Sequence, residues 1–229
     1  MKYLRLFESF EDIDKICKKF GIENYTINSD GSIDVNDSVD LRFRNLTKLP
    51  IRFNKVNGYF DCVNNKLTTL EGSPIEVNGC FDCGNNKLTT LEGSPKKVGG
   101  FFDCSENNLT TLEGCPKEVN GDFYCSDNNL TSFEFAPIIR GDFHCSDNNI
   151  KSFEYFPSYF KGYFYCYVNP IEEVWCLFQD TTKIELLNDF DIFRDEDTDE
   201  PVIIMDRLND FLLTIGINPV EKVERYKNI

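Results

Sequence analysis

Residues 56–74 read VNGYFDCVNNKLTTLEGSP, residues 77–95 read VNGCFDCGNNKLTTLEGSP, and residues 98–116 read VGGFFDCSENNLTTLEGCP. Looser copies continue beyond them, so the general form is V-x-G-x-F-x-C-x-x-N-x-L-x-x-L-x-G-x-P. Cys62, Cys83, Cys104, Cys125, Cys145 and Cys166 lie 21, 21, 21, 20 and 21 residues apart, each at the same place in its unit. A period of this length sets the architecture before local propensities are weighed, because each unit is too small to bury its own apolar face and must stack on the next.

Every position of the unit forms a column. Phe60, Phe81, Phe102, Phe123, Phe143 and Phe164 stand two residues before the cysteines, and Gly58, Gly79, Gly100, Gly121, Gly141 and Gly162 stand four before. Asn65, Asn86, Asn107, Asn128, Asn148 and Asn169 follow three after. Two apolar columns come next: Leu67, Leu88, Leu109, Leu130, Ile150 and Ile171, then Leu70, Leu91, Leu112, Phe133, Phe153 and Val174. Pro74, Pro95, Pro116, Pro137 and Pro157 close five units.

Phe and Cys, two apart, put their side chains on one face of an extended strand and leave the residues between them on the other. The asparagine is polar among inward apolar residues, so it is expected to be hydrogen-bonded to backbone where strand becomes loop. Proline and glycine forbid a long helix on the far side, which predicts loops and short 3₁₀ turns there. Six parallel strands at the usual spacing make a sheet on the order of 29 Å wide.

These columns resemble the leucine-rich repeat, L-x-x-L-x-L-x-x-N-x-L-x-x-L, with Phe at the second Leu, Cys at the third and the Asn in register. The L-T-T-L-E-G-x-P tail is most similar to short bacterial repeats, and the Phe-x-Cys variant to uncharacterised repeat proteins of tailed bacteriophages. The resemblance covers about residues 39 to 176. It implies an α+β fold: a leucine-rich repeat solenoid with a parallel β-sheet face, a loop and 3₁₀ convex side, and helical caps at both ends. It also implies a role inside a bacterial host, on a host or a viral protein.

The flanks read as the caps. Leu4, Phe7, Phe10, Ile13, Ile16, Cys17 and Phe20 recur at helical spacing, with acids early, lysines late and Gly21 as a stop. YTIN and SIDV around Asp30-Gly31 predict a hairpin, followed by a degenerate first repeat, VDLRFRNLTKLP. The expected organisation is residues 1–38 as an amino-terminal cap, 39–176 as the repeats and 177–229 as an acidic helical cap, with helix-like spacing in IEEVWCLF, KIELLNDFDIF and PVIIMDRLNDFLLTIG.

Net charge is −15, and residues 170–229, with 6 basic and 15 acidic side chains, supply −9 of it. That balance speaks against direct binding to nucleic acid or anionic lipid and favours a protein partner with a basic patch. The opening MKYLRLFESF lacks the apolar core of a signal peptide, and no apolar run approaches a membrane span, so a cytoplasmic monomer is expected.

Ten cysteines invite a metal or redox reading, but a stacked column offers one thiol per strand along a line rather than four ligands around a point. The C-x-x-C of Cys80 and Cys83 has odd spacing, which sends the two to opposite faces and leaves Cys80 exposed. The recurrent S-D-N-N lacks the spacing of a calcium loop. His144 is the sole histidine and no nucleophile or phosphate-binding motif appears, so neither catalysis nor a cofactor is expected. Bacterial leucine-rich repeat ubiquitin ligases use a Cys-x-Asp nucleophile in a large domain, whereas Cys176 here precedes Leu177 and Phe178.

What remains is the outward strand face. Asp61, Asp82, Asp103, Tyr124, His144 and Tyr165 stand one before the cysteines; Tyr59, Cys80, Phe101, Asp122, Asp142 and Tyr163 stand three before, and Tyr167 one after the last. Tyrosines supply contact area and carboxylates select a basic partner, so this face is the candidate protein-binding site. Two other readings compete: the rings pack across strands and the acids keep the face soluble, or the acidity makes the chain a decoy for a nucleic-acid-binding protein.

Overall fold

The computed structural model describes residues 10–157, 159, 161–194 and 202–228. Helix α1 (Phe10–Phe20) opens it, with Ile13 and Cys17 buried. Gly21, at φ +69°, ends it: the Gly21 N–H reaches the Lys18 carbonyl at 3.4 Å and the Ile22 N–H the Cys17 carbonyl at 2.9 Å, the paired bonds of a Schellman stop. Leu4 and Phe7, which extend the expected helical pattern, lie outside the described residues. Strands β1 (Tyr25–Ile27) and β2 (Ile33–Val35) form the expected antiparallel hairpin.

From there the chain alternates between two sheets. After β3 (Val39–Asp40) and β4 (Phe53–Val56) come β5 (Phe60–Asp61), β6 (Glu76–Val77), β7 (Phe81–Asp82), β8 (Lys97–Val98), β9 (Phe102–Asp103), β10 (Glu118–Val119), β11 (Phe123–Tyr124), β12 (Ile138–Ile139), β13 (Phe143–His144) and β14 (Phe164–Tyr165). One seven-stranded sheet runs β14-β13-β11-β9-β7-β5-β3, entirely parallel and in register, so Phe pairs with Phe from β5 to β14 and Val39 of β3 pairs with Phe60. The other runs β1-β2-β4-β6-β8-β10-β12, parallel after its opening hairpin.

The second sheet corrects the expectation of loops and 3₁₀ turns on the far side of each repeat. Among the described residues of the repeats no 3₁₀ helix occurs; the residues after Pro50, Pro74, Pro95, Pro116 and Pro137 extend instead, burying Val56, Val77, Val98, Val119 and Ile139. Proline prevents a helix there, but an extended chain one period from an identical extended chain is offered a ladder, and the bonds form: the Lys96 N–H donates to the Ile75 carbonyl at 2.8 Å. A glycine marks the bend between the two strands of each coil, where successive coils nearly touch. A Cβ on Gly121 would stand 2.8 Å from the Gly100 carbonyl carbon.

Between the sheets the columns stack. Phe60, Phe81, Phe102 and Phe123 lie ring on ring, with centroids 5.3–5.8 Å apart and planes within 24°. The Cys62, Cys83 and Cys104 thiols, each wholly buried, point at the carbonyls of Asp82, Asp103 and Tyr124 in the next coil at 3.2–3.3 Å. Each asparagine bridges two coils. Asn107 Nδ2 donates to the carbonyls of Cys104, Ser105 and Cys83, each at 3.1 Å, and its Oδ1 accepts the Leu88 N–H at 3.0 Å.

Beyond Ile171 the period fails and the chain covers the open end. Helix α2 (Glu172–Phe178) places Trp175 edge-on to Phe164 at 5.1 Å, and Arg225 and Tyr226 bond the Asn169 and Lys151 carbonyls. A 3₁₀ turn (Thr181–Lys183), α3 (Ile184–Asp189) and α4 (Met205–Thr214) follow. This region is not purely helical as expected: β15 (Phe193–Arg194), β16 (Val202–Ile203) and β17 (Lys227–Asn228) form a small sheet. The β-branched pair Val202-Ile203 suits a strand better than a helix start.

Replacing Asn107 by Ala leaves the buried Leu88 N–H without its acceptor and cuts one bridge between coils, while the Cys83 and Cys104 carbonyls keep Asn86 and Asn128 as donors; it is expected to lower stability by roughly 1–3 kcal/mol in urea unfolding. Its exposed neighbour Asn108, replaced likewise, should change stability by less than about 0.5 kcal/mol. Equal losses at the two positions would contradict the bridging role.

Candidate functional site

Because the first sheet is in register, its outer face is built of rows running across the strands. One row reads Asp40, Asp61, Asp82, Asp103, Tyr124, His144, Tyr165. The row before each inward Phe reads Ser38, Tyr59, Cys80, Phe101, Asp122, Asp142, Tyr163, and the row after each inward Cys reads Val63, Gly84, Ser105, Ser126, Ser146, Tyr167, preceded by Arg42. All twelve expected residues thus fall on one face. Asp40 and Arg42, at the start of the rows, were hidden in the degenerate repeat, where Leu41 replaces the cysteine that marks the register.

The central row divides in two. Four stacked aspartates occupy one half, and each closes a local turn: Oδ1 of Asp40, Asp61, Asp82 and Asp103 accepts the N–H two residues on, at 2.8–3.1 Å. Asp61, Asp82 and Asp103 are half-buried against their own neighbours. Arg42 grips Asp40 with two bonds of 3.0 and 2.7 Å and reaches Asp61 at 3.4 Å. That hydrogen-bonded guanidinium holds the Asp40 carboxyl below its ordinary range. Further along no base intervenes. Burial raises Asp61 and Asp103, and burial together with those two like charges pushes Asp82 up to about 7.

The other half of the row is a stack of rings. Tyr124 lies on His144 and His144 on Tyr165, with centroids 4.4 Å apart in both pairs and planes within 18°. Burial lowers the His144 imidazole below its usual value against the pull of Asp142, Asp122 and Asp103, so the ring is neutral near pH 7. Tyr124 donates to Asp122 at 3.0 Å; burial and that bond raise its phenol to about 12. Phe101 meets Tyr124 edge-on at 5.9 Å, and Tyr163 and Tyr167 flank Tyr165 at 6.4 and 6.3 Å. Asp122 and Asp142 are tied to the backbone, accepting the Asp142 and Tyr163 N–H groups at 2.7 and 2.8 Å. Tyr59, Tyr163 and Tyr167 are exposed, Tyr163 by 73%.

Cys80 shares this face but is half-buried rather than exposed, while its C-x-x-C partner Cys83 sits in the core. Among the described residues no three His, Cys, Asp or Glu side chains converge as metal ligands would. Comparison with protein-family models, with curated proteins and with solved structures found no match.

Two measurements follow from these environments. A carboxyl whose folded pKa lies above its unfolded value of about 4 binds its proton more tightly when folded. Asp82 therefore contributes stability in full below pH ~4 and loses it as pH rises through about 7. Wild type is expected to lose roughly 1–2 kcal/mol relative to Asp82→Asn between pH 5 and pH 8 in urea unfolding, solvent screening allowed for; a constant difference would refute the raised carboxyl. Burial also drives the column thiols up, so an aromatic disulfide reagent should label exposed Cys176 first and Cys62, Cys83, Cys104, Cys125 and Cys145 only on unfolding.

Proposed function

We propose that the chain is a leucine-rich repeat solenoid of the short bacterial kind, and a non-enzymatic module that binds a protein partner through the outer face of its first sheet. The observation that carries the reading is the contrast between the two faces of one strand. Inward positions repeat Phe and Cys with little change, whereas outward positions change chemistry along the array, from stacked carboxylates to stacked rings.

Charge gives the partner its character. The three outer rows hold five aspartates beyond Asp40, against Arg42 as their sole basic side chain besides neutral His144. Such a face favours a partner with a basic patch, and the rings beside it supply contact area that few other side chains match. No described helix is long and apolar enough to cross a membrane. On the phage resemblance, the proposed action is in the cytoplasm of a bacterial host.

Affinity capture from a bacterial lysate, with wild type beside the Tyr124→Ala, His144→Ala, Tyr165→Ala triple variant, tests the reading. A partner lost only with the variant is expected; a partner set indifferent to the variant would remove the face from consideration. A second reading rests on the −9 carried by residues 170–229: an acidic decoy for a nucleic-acid-binding protein. It predicts a complex that weakens steeply with salt and on deletion of Asp195 to Glu200, which lie outside the described residues.

A further inference from the structure

At the turn after each inward cysteine, or after Leu41 in the degenerate repeat, the two ends of the array differ from its middle. Asn64, Asn85, Glu106, Asp127 and Asp147 occupy the turn after each inward cysteine with φ between +46° and +57°. Asn and Asp tolerate that left-handed conformation. The series opens on Phe43, at φ +56°, and closes on Val168, at φ +64° and the one β-branched residue in it. A β-branched residue there is a true outlier, held only where its surroundings over-determine it. Those surroundings are visible: the Val168 N–H donates to Glu172 Oε2 at 2.9 Å, and Arg225 pairs with the same carboxylate at 3.3 Å while bonding the Asn169 carbonyl. The strained side chain is itself 56% exposed, so it packs no core in return.

Val168 adjoins the tyrosine cluster. One face of the Tyr165 ring rests on His144; the other turns away from the ladder, because β14 is the terminal strand of its sheet. Tyr163 and Tyr167 stand on either side of it, inclined to its plane by 48° and 44° and both exposed. Asp142 and Asp122 give this end of the face its negative potential, and the neutral His144 adds no opposing charge.

We infer that this terminal cluster, Tyr163, Tyr165 and Tyr167 with Val168 beside them, receives an arginine side chain of the protein partner. The inference rests on the binding role proposed above and deepens it by placing the contact in the last repeat. A planar guanidinium stacks on an aromatic ring and is drawn by the carboxylates behind it, whereas a lysine ammonium, compact and strongly hydrated, uses the flat ring less well. An aliphatic side chain in place of the Asn, Asp or Glu of the middle repeats extends the apolar floor to the methylenes of the incoming residue.

The test is amide NMR of the full chain titrated with acetyl-(Gly-Arg)₃-amide and its lysine counterpart. The arginine peptide is expected to shift the amides of residues 163–168 and to bind at least threefold more tightly than the lysine peptide. Tyr163→Ala with Tyr167→Ala, both at exposed positions, should weaken it at least fivefold, and Val168→Asn at least twofold while raising the thermal midpoint, since Asn relieves the strain. Equal affinity for the two peptides, with shifts confined to Asp61, Asp82 and Asp103, would overturn the inference yet leave the face as a binding surface. No shift anywhere on the face would overturn both.

Discussion

The buried asparagine bridge is the constraint on which the rest depends. Asn86 Nδ2 donates to the Cys83 and Gly84 carbonyls of its own coil and to the Cys62 carbonyl of the coil before, while its Oδ1 accepts the Leu67 N–H. The Cys62 and Cys83 carbonyls and the Leu67 N–H are the backbone groups that leave the ladder when the strand turns, and in a stack of coils water cannot reach them. One side chain therefore closes the turn and fixes its distance to the preceding coil. Its satisfaction demands a coil of nearly constant length, which is why the cysteine spacing varies by a single residue.

Constant length in turn imposes exact register between strands, and register places each residue against its counterpart. Inside, this is favourable: phenylalanines stack on phenylalanines and thiols point at carbonyls in file. Outside, it stacks carboxylate on carboxylate. Asp61, Asp82 and Asp103 cannot spread apart as surface acids usually do, because each is pinned by the N–H two residues ahead and flanked by the same group one strand away. The raised acids follow from the backbone geometry that makes the core efficient.

Much of this is legible in the residues, and the gaps have identifiable causes. Strand parity places Phe and Cys inward and all twelve face residues outward, and the buried asparagine follows from a polar residue in an apolar set. Parity separates only two faces, however. It cannot report that an outward Asp such as Asp82 is half-covered by its neighbours in the row. The second sheet is not foreseen because proline and glycine weigh as helix breakers, although the apolar residue two before each bend glycine, from Val56 to Ile139, marks a buried extended segment in five units. At Val202-Ile203 an apolar run short enough for either state was read with the helix that follows it.

The two halves of the central row have opposite energetics. Stacked rings such as Tyr124, His144 and Tyr165 gain from one another and need no further partner to be stable. Stacked carboxylates lose, and the loss grows as pH rises through neutrality. The adjacent row shows that the same geometry accepts neutral polar residues, since Ser105, Ser126 and Ser146 stand in file beside the row of acids and rings. Serine would have kept the face soluble at no such cost, so solubility alone does not account for the aspartates. A cation arriving along the face would relieve the repulsion and expel the retained proton. Under the proposed binding role, the unfavourable half of the row thus becomes a source of affinity that the bare protein lacks.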